Sequence, residues 1–370
     1  MRALRTRVGT LRFMGNDSNS GYRATQPVIN IDGQDDSSLG EGLVSMMILE
    51  NTNGLYRSEV LFDNWGEKNN SFDFLYFDRQ TLDFGKAFKI KLGTDTYFDG
   101  RIMAVEAQFG AARTPQVNVL AEDRFQDLRM TRRTRTFADV SDSDVMNQIA
   151  SDHGLTPSVN VNGPTYKVLA QINQSDLAFL RDRARSIDAE LWMDGSTLNA
   201  KTHADRGNGN LQMIYGGKLH EFSVIADLAM QRTSVSVNGW DVSSKSALQH
   251  ESDDSIINGE LNGDTSGPSI LQSALGARKE SLVHTIPLTS QEAQSTADAY
   301  FKMSARRFVV GHGVAETSLD LRVGSYIDLT GVGPMFSGKY YVTEVRHMFD
   351  RRRGLRTEFT SERPGIGSGQ

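Results

Sequence analysis

From Pro27 onward the chain alternates between apolar and polar positions in short runs. VINI (28–31), LVSMMIL (43–49) and RSEVLFDNW (57–65) are apolar or alternating, with Gly, Asn and Asp between them. FKIKLG (88–93) places Phe88, Ile90 and Leu92 on one face, and YFDGRIMAVEAQF (97–109) and QVNVLAED (116–123) follow. Such runs, broken by turn residues, predict antiparallel strands in a barrel or sandwich.

The period changes near residue 138. SDSDVMNQIASDHG (141–154) starts with Ser141 and has Asp144 three positions later, a capping-box pattern. Val145, Met146, Ile149 and Ala150 share one helical face, and Gly154 suits the position after the helix end. Leu177, Leu180, Ala184 and Ile187 predict a second helix over 175–190. ELWMDGSTLNAK (190–201) reads as a hairpin around Asp194 and Gly195. Residues 138–205 therefore read as a small α/β helix-hairpin domain, and ADRGNGN (204–210) as a linker.

Strand-like runs return in 211–242. Residues 243–285 are rich in Ser, Asp, Asn and Gly and read as a long, partly mobile excursion. Thr289 and Glu292 cap a helix to about Arg307, with Ala293, Ala297, Tyr300 and Phe301 inward. SYIDLTG (325–331), KYYVTEVRHMF (339–349) and LRTEFTSE (355–362) are strands again, and DRRRG (350–354) is a hairpin loop. Residues 1–24 read as a mobile arm and 364–370 as a tail.

Two of these stretches match. FDGRIMAVE (98–106) and FSGKYYVTE (336–344) each follow a glycine by five positions. Gly93, Phe98, Gly100, Arg101 and Glu106 fall opposite Gly331, Phe336, Gly338, Lys339 and Glu344. The shared order of strand, loop, Phe-x-Gly, strand, loop, strand predicts a duplication. The fold class is then mainly β with a smaller α/β part. Two similar tube-like antiparallel β-barrels, 25–137 and 206–363, flank the helix-hairpin domain.

Composition narrows the chemistry. With 370 residues, 38% hydrophobic and 23% charged, the chain has material for two or three packed domains. It has no Cys, so disulfides and thiolate chemistry are excluded. No apolar run approaches the roughly 20 residues of a membrane span. The basic start, MRALRTRVGTLRF, lacks an apolar signal-peptide core, so synthesis in the cytoplasm is expected. The net charge of -6 disfavours nucleic acid as a partner. RMTRRTRTF (129–137) concentrates Arg129, Arg132, Arg133 and Arg135. Without interleaved aromatics, an interface or a solvated strand face is the better reading than a phosphate strip. Arg351, Arg352 and Arg353 sit in the hairpin loop, where they can reach an acidic neighbouring subunit.

No catalytic constellation stands out. GDTSGP (263–268) resembles the serine segment of chymotrypsin-like proteases, but that class needs a His and an Asp behind the serine. Ser266 lies instead in a polar, Gly-rich stretch. The seven His, at 153, 203, 220, 250, 284, 312 and 347, form no metal-binding spacing. His347 alternates with Val345 and Phe349 and reads as packed, and GHG (311–313) reads as a turn. No glycine-rich phosphate loop is complete, so no cofactor is expected. A carboxylate pair for glycoside cleavage stays open, because acidic residues are plentiful.

Several segments together resemble the phage late control protein D family, the hub of contractile tails, related to the hub half of type VI secretion spike proteins. They are EVLFDNW (59–65), YFDGRIMAVEAQF (97–109), EDRFQDLRMTRRTRTF (122–137), DVMNQIASDHGL (144–155), QSDLAFLRDRARSIDAELWMDGSTL (174–198) and GVGPMFSGKYYVTEVRHMFDRRRGLRTEF (331–359). The resemblance implies a structural baseplate hub without catalysis. It implies a homotrimer whose six barrels adapt a sixfold tail tube to a threefold spike. Its implied partners are the tail tube protein, a separate spike protein, other baseplate subunits and the tape-measure protein. Its implied location is the virion baseplate or an extracellular tail-like particle, after assembly in the bacterial cytoplasm. The other class in play is a tail-tip cell-wall hydrolase with a carboxylate site.

Overall fold

The computed structural model describes residues 26–207, 209–241, 245–283 and 287–367. The expected arm at 1–24 lies outside them. The fold is mainly β, and its largest element is a 13-stranded sheet. Twelve of those strands divide into two sets of six. The first set is Val28–Ile31, Leu43–Asn51, Arg57–Asp63, Ala87–Leu92, Asp95–Gln108 and Gln116–Glu122. The second is Asn210–Ile214, Leu219–Ala226, Val309–Ala315, Tyr326–Thr330, Gly338–Asp350 and Gly354–Arg363. In both sets the spatial order is second, third, sixth, fifth, fourth, first. One pairing differs: the first strand runs antiparallel to the fourth in the first set and parallel in the second.

The two sets also share their irregularities. The second strand is bulged between Leu43 and Ser45 in one and between Leu219 and Glu221 in the other. The fifth strand is bulged between Ile102 and Ala104 in one and between Val342 and Glu344 in the other. A bulge inserts an extra residue and bends its strand, so matched bulges mean matched curvature. Each set closes over its own apolar cluster. Ile48, Phe62, Phe88, Ile90 and Val119 centre the first, and Val309, Ile327, Tyr340, Val345 and Phe359 the second.

The sets meet edge to edge. Glu344–Asp350 of the fifth strand of the second set pairs antiparallel with Ser45–Asn51 of the first. His347 is fully buried at this seam, 2.9 Å from the Thr357 hydroxyl and edge-on to the Tyr97 ring at 5.0 Å.

Between the sets lies the α/β part. Arg132–Ser141 pairs with Thr165–Ser175, and Thr156–Asn160, Thr197–Thr202 and Ala189–Asp194 form a three-stranded sheet. The helices Asp142–Asp152 and Asp176–Ser186 pack on it around Met146, Ile149, Leu177 and Leu180. The Ser141/Asp144 capping box forms as expected, and Gly154 takes a positive φ of 63°. The hairpin turns on Gly195 and Ser196, with Asp194 opposite Thr197. The strand Arg132–Ser141, which spans residue 137, pairs only with Thr165–Ser175 among the described strands.

Three other expectations are corrected. The 243–285 excursion, in its described residues, is folded. Ser246–Asp253, Ser234–Asp241 and Lys279–Leu282 form a sheet, backed by the helix Ser290–Arg306. Val235, Val237, Ile257, Ala297 and Phe301 form its core. The tail is partly paired, with Gly365 and Ile366 opposite Ser266 and Thr265. GHG at 311–313 is the middle of a strand instead of a turn. A Cβ on Gly311 would sit 2.5 Å from the Phe222 ring, and one on Gly313 would sit 2.4 Å from the Phe359 ring. These glycines leave room for two core aromatics.

Gly313→Ala is therefore expected to cost about 1–3 kcal/mol in urea unfolding, through overpacking. Gly259→Ala, which meets nothing within 4 Å, should change stability by less than about 0.5 kcal/mol. Equal, small effects at both positions would show that the rings do not define the fit.

Candidate functional site

The repeat residues occupy related but unequal roles. Gly93 and Gly331 both turn with positive φ, 67° and 83°. Phe98 is buried, and Phe336 packs against the second core. Gly100 has ordinary φ and is needed because a Cβ would lie 2.3 Å from the Glu122 carbonyl oxygen. Gly338 has φ 139°, and a Cβ there would strike the Arg363 guanidinium. Glu106 is exposed and accepts from Asn118 at 3.0 Å, whereas Glu344 pairs with Arg346 at 2.7 Å. Arg101 is exposed, and Lys339 lies over the Tyr326 ring at 4.1 Å. Matched by their bulges, Ile102 corresponds to Val342 and Ala104 to Glu344, two residues along from the alignment by glycines.

The arginine strip is used internally. Asp176 is buried and receives Arg133 at 3.0 Å, Arg135 at 2.8 Å, His153 at 2.8 Å and Gln171 at 2.8 Å. Burial pushes its carboxyl up, but the His153 and Gln171 hydrogen bonds and the two guanidinium charges hold it below the usual range. Arg129 forks onto Glu122 at 3.0 and 2.5 Å, and Arg132 donates to the Asn173 carbonyl at 2.7 Å. The strip fastens a ribbon to its helix. Arg351 also turns inward, to Asp63 at 2.9 Å and the Leu43 carbonyl at 2.7 Å. Arg352 and Arg353 stay exposed, with no side-chain ion pair among the described residues.

The seams between parts carry buried charge, and sequence reasoning missed them. Glu190 lies where the α/β part meets both strand sets. Arg206 donates to it at 2.5 Å and to the Tyr56 hydroxyl at 2.7 Å, and the Tyr341 hydroxyl donates to it at 2.7 Å. His203 is 3.2 Å away, and the Arg206 guanidinium covers the Trp192 ring at 4.5 Å. Gly324 makes room, since a Cβ there would lie 2.5 Å from Arg206. Burial pushes the Glu190 carboxyl up, but the Arg206 charge and the His203 and Tyr341 contacts outweigh it and hold it at about 2. ADRGNGN is thus no plain linker: His203–Arg206 is a short helix with Arg206 fully buried. Arg306 similarly clamps Asp188 of the α/β part and Glu260 of the folded excursion, at 2.5–2.7 Å. Arg322 reaches the buried Glu50 across the two sets.

The sheet leaves one long face solvated. Glu221, Val314, Glu358, Arg346, Leu49, Arg57, Glu122 and Arg101 follow one another across eight strands in register. Strand alternation puts this row opposite the cores. A groove of about 820 Å³ lies at one end, lined by Tyr215, Phe222, His312, Glu344, Glu358 and Thr360 among others. Mixed charge along a wide curved sheet suits contact with a large partner surface or with passing polymer.

The other candidates have structural places. Ser266 caps the helix Gly267–Leu275, accepting from the Ser269 amide and donating to Asp254 at 2.6 Å. Among the described residues no group of three His, Asp or Glu is placed to hold a metal, and no helix is long and apolar enough to cross a membrane. His284 lies outside them.

Residues 25–350 match the family model described as the Alg8 N-terminal domain. The chain belongs to that family. No curated protein matches its sequence. Solved structures do match this chain in fold. The prophage MuSo2 43 kDa tail protein from Shewanella oneidensis superposes with a TM-score of 0.69 at 11% identity, over 92% of this chain and 99% of that one. The tail protein from Neisseria meningitidis MC58 gives 0.67 at 11% identity, over 92% and 97%. An E. coli component of the type VI secretion system, described as similar to the T4 bacteriophage tail proteins gp27 and gp5, gives 0.51 at 13% identity, over 93% and 76%. The chain thus has a tail-protein fold, and the resemblance to tail hubs is borne out at that level.

Two measurements test the seams. Arg206→Met leaves Glu190 buried without its cation and should cost about 3–5 kcal/mol in urea unfolding. A loss under about 1 kcal/mol would mean that water reaches the seam. His347 offers a pH test. Burial pushes its pKa down to about 4, with Glu50 opposing and Arg322 assisting. Between the unfolded value near 6.5 and about 4, only the unfolded chain binds this proton. Stability therefore falls as pH falls through that window, by up to about 3 kcal/mol. His347→Gln should flatten the unfolding profile there relative to the parent; identical profiles would refute the assignment.

Proposed function

We propose that this chain is the structural hub subunit of a contractile tail or tail-like injection particle, acting as a homotrimer without catalysis. Each strand set acts as a tube-like barrel, so three chains present six in a ring. One side of the ring meets a sixfold tail tube. The other meets a threefold spike. The observation that carries this reading is the pair of six-stranded sets with one strand order and two matched bulges, already joined edge to edge within one chain. A threefold object built from such pairs presents six near-equivalent positions.

The named relatives support the same reading, being tail proteins and a type VI secretion component. The mixed-charge face then lines the channel, where tape-measure protein passes. The uncommitted Arg352 and Arg353 face neighbouring baseplate subunits. Assembly takes place in the bacterial cytoplasm before the particle is complete.

The test is native mass spectrometry of the purified chain across concentrations, with and without the spike. A trimer, alone or on adding the spike, is expected. A mass that stays monomeric in both, together with peptidoglycan cleavage, would replace the hub with a hydrolase.

A further inference from the structure

The joint inside the chain specifies a second joint between chains. Inside, the part of the fifth strand beyond its bulge, 344–350 of the second set, pairs with the second strand of the first set. The same two edges exist in the opposite combination, and over 104–109 and 221–226 the outer side has no ladder partner among the described residues. The fifth strand of the first set pairs with Ala87–Leu92 only through 95–101, and beyond the bulge only Gln116–Glu122 accompanies it. Its other edge, over 104–109, has no ladder partner among the described residues. The second strand of the second set, Leu219–Ala226, is the end of the sheet order. Two long open edges of this kind invite pairing.

We propose that these edges pair with each other between copies, antiparallel and head to tail, in the register of the internal joint. This rests on the proposed trimeric hub. The matched bulges carry the register across: Ala104 takes the place of Glu344, and Glu221 that of Ser45. The internal pairs Arg346–Leu49 and His347–Ile48 then become Glu106–Ile225 and Ala107–Val224. Phe349–Met46 becomes Phe109–Phe222.

The side chains suit this joint. On the core side the pairs are Val105–Ala226, Ala107–Val224 and Phe109–Phe222, all apolar. In the single chain Phe109 is 66% exposed beside Phe74 and Phe77, and Ile225, on the solvated face where it would meet Glu106, is 59% exposed. A second copy is the occupant because it alone repeats the internal geometry. The contact is heterologous, and three such contacts with three internal ones make six near-equivalent joints around a ring.

The absence of native Cys permits a direct test. Chains carrying only Glu106→Cys are mixed with chains carrying only Ile225→Cys and oxidised mildly, and the same samples are weighed by native mass spectrometry. A control mixture pairs Glu106→Cys with Glu221→Cys, which the proposed register separates beyond the roughly 7 Å Cα limit for a disulfide. A mixed disulfide dimer from the first mixture and none from the second is expected. Trimeric mass without that cross-link, or with the control cross-link instead, overturns this pairing and leaves the hub standing. Monomeric mass throughout, without cross-link, overturns both.

Discussion

The carboxylate of Glu190, only 12% exposed, is held where the short helix of His203 and Arg206 and the second strand set both reach it. Arg206 supplies the charge, Tyr341 a hydroxyl from the second strand set, and His203 a ring from the short helix beside them. Tyr56 of the first set holds the same guanidinium. A buried carboxylate without these partners is strongly unfavourable, so the three parts cannot swing apart without breaking several charge-assisted contacts at once. The pair need not add net stability over an apolar substitute. What it fixes is orientation.

The same division of labour recurs. Apolar clusters lie inside each part, while arginine and carboxylate also meet between parts: Arg306 with Asp188 and Glu260, and Arg322 with Glu50. Apolar contact is non-directional, whereas a forked guanidinium accepts few geometries. A chain whose two strand sets are held at a set angle needs the second kind of contact at its seams.

This division also explains what the sequence could and could not reveal. Strands and helices were legible because alternation and the Ser141 cap are local. The repeat was legible through Gly93 and Gly331, since a turn needs its glycine. Its register was not, because glycines mark loops while bulges set ladders, and a bulge leaves no residue signature. Gly311 and Gly313 looked like turn residues because the rings that require them, Phe222 and Phe359, come from other strands. The 243–285 segment looked loose because its core draws on Ala293, Ala297 and Phe301, outside it. Arg129, Arg132 and Arg133 are exposed, but the Asp176 contact of Arg133 and Arg135 was not legible, because Asp176 is some forty residues away. Arg206 was hidden inside a glycine-rich run. In each failure the deciding partner was distant in sequence.

The bulges of the fifth strands let one sheet serve two strand sets. Before its bulge, Gly338–Tyr341 pairs with Tyr326–Leu329 and belongs to its own set; after it, Glu344–Asp350 pairs with the other. A straight strand would keep its neighbour along its whole length. An inserted residue bends the strand and sharpens its twist, so the far half leaves the curve of one strand set and joins that of the other. A strand of 13 residues is long enough to do both, and its counterpart, at 14 residues and with the bulge at the matching place, has the same form. Strand length and bulge position together are therefore the device that turns a closed curve into a link. The large insertions, which differ completely between the sets, could diverge freely because none of them interrupts that strand.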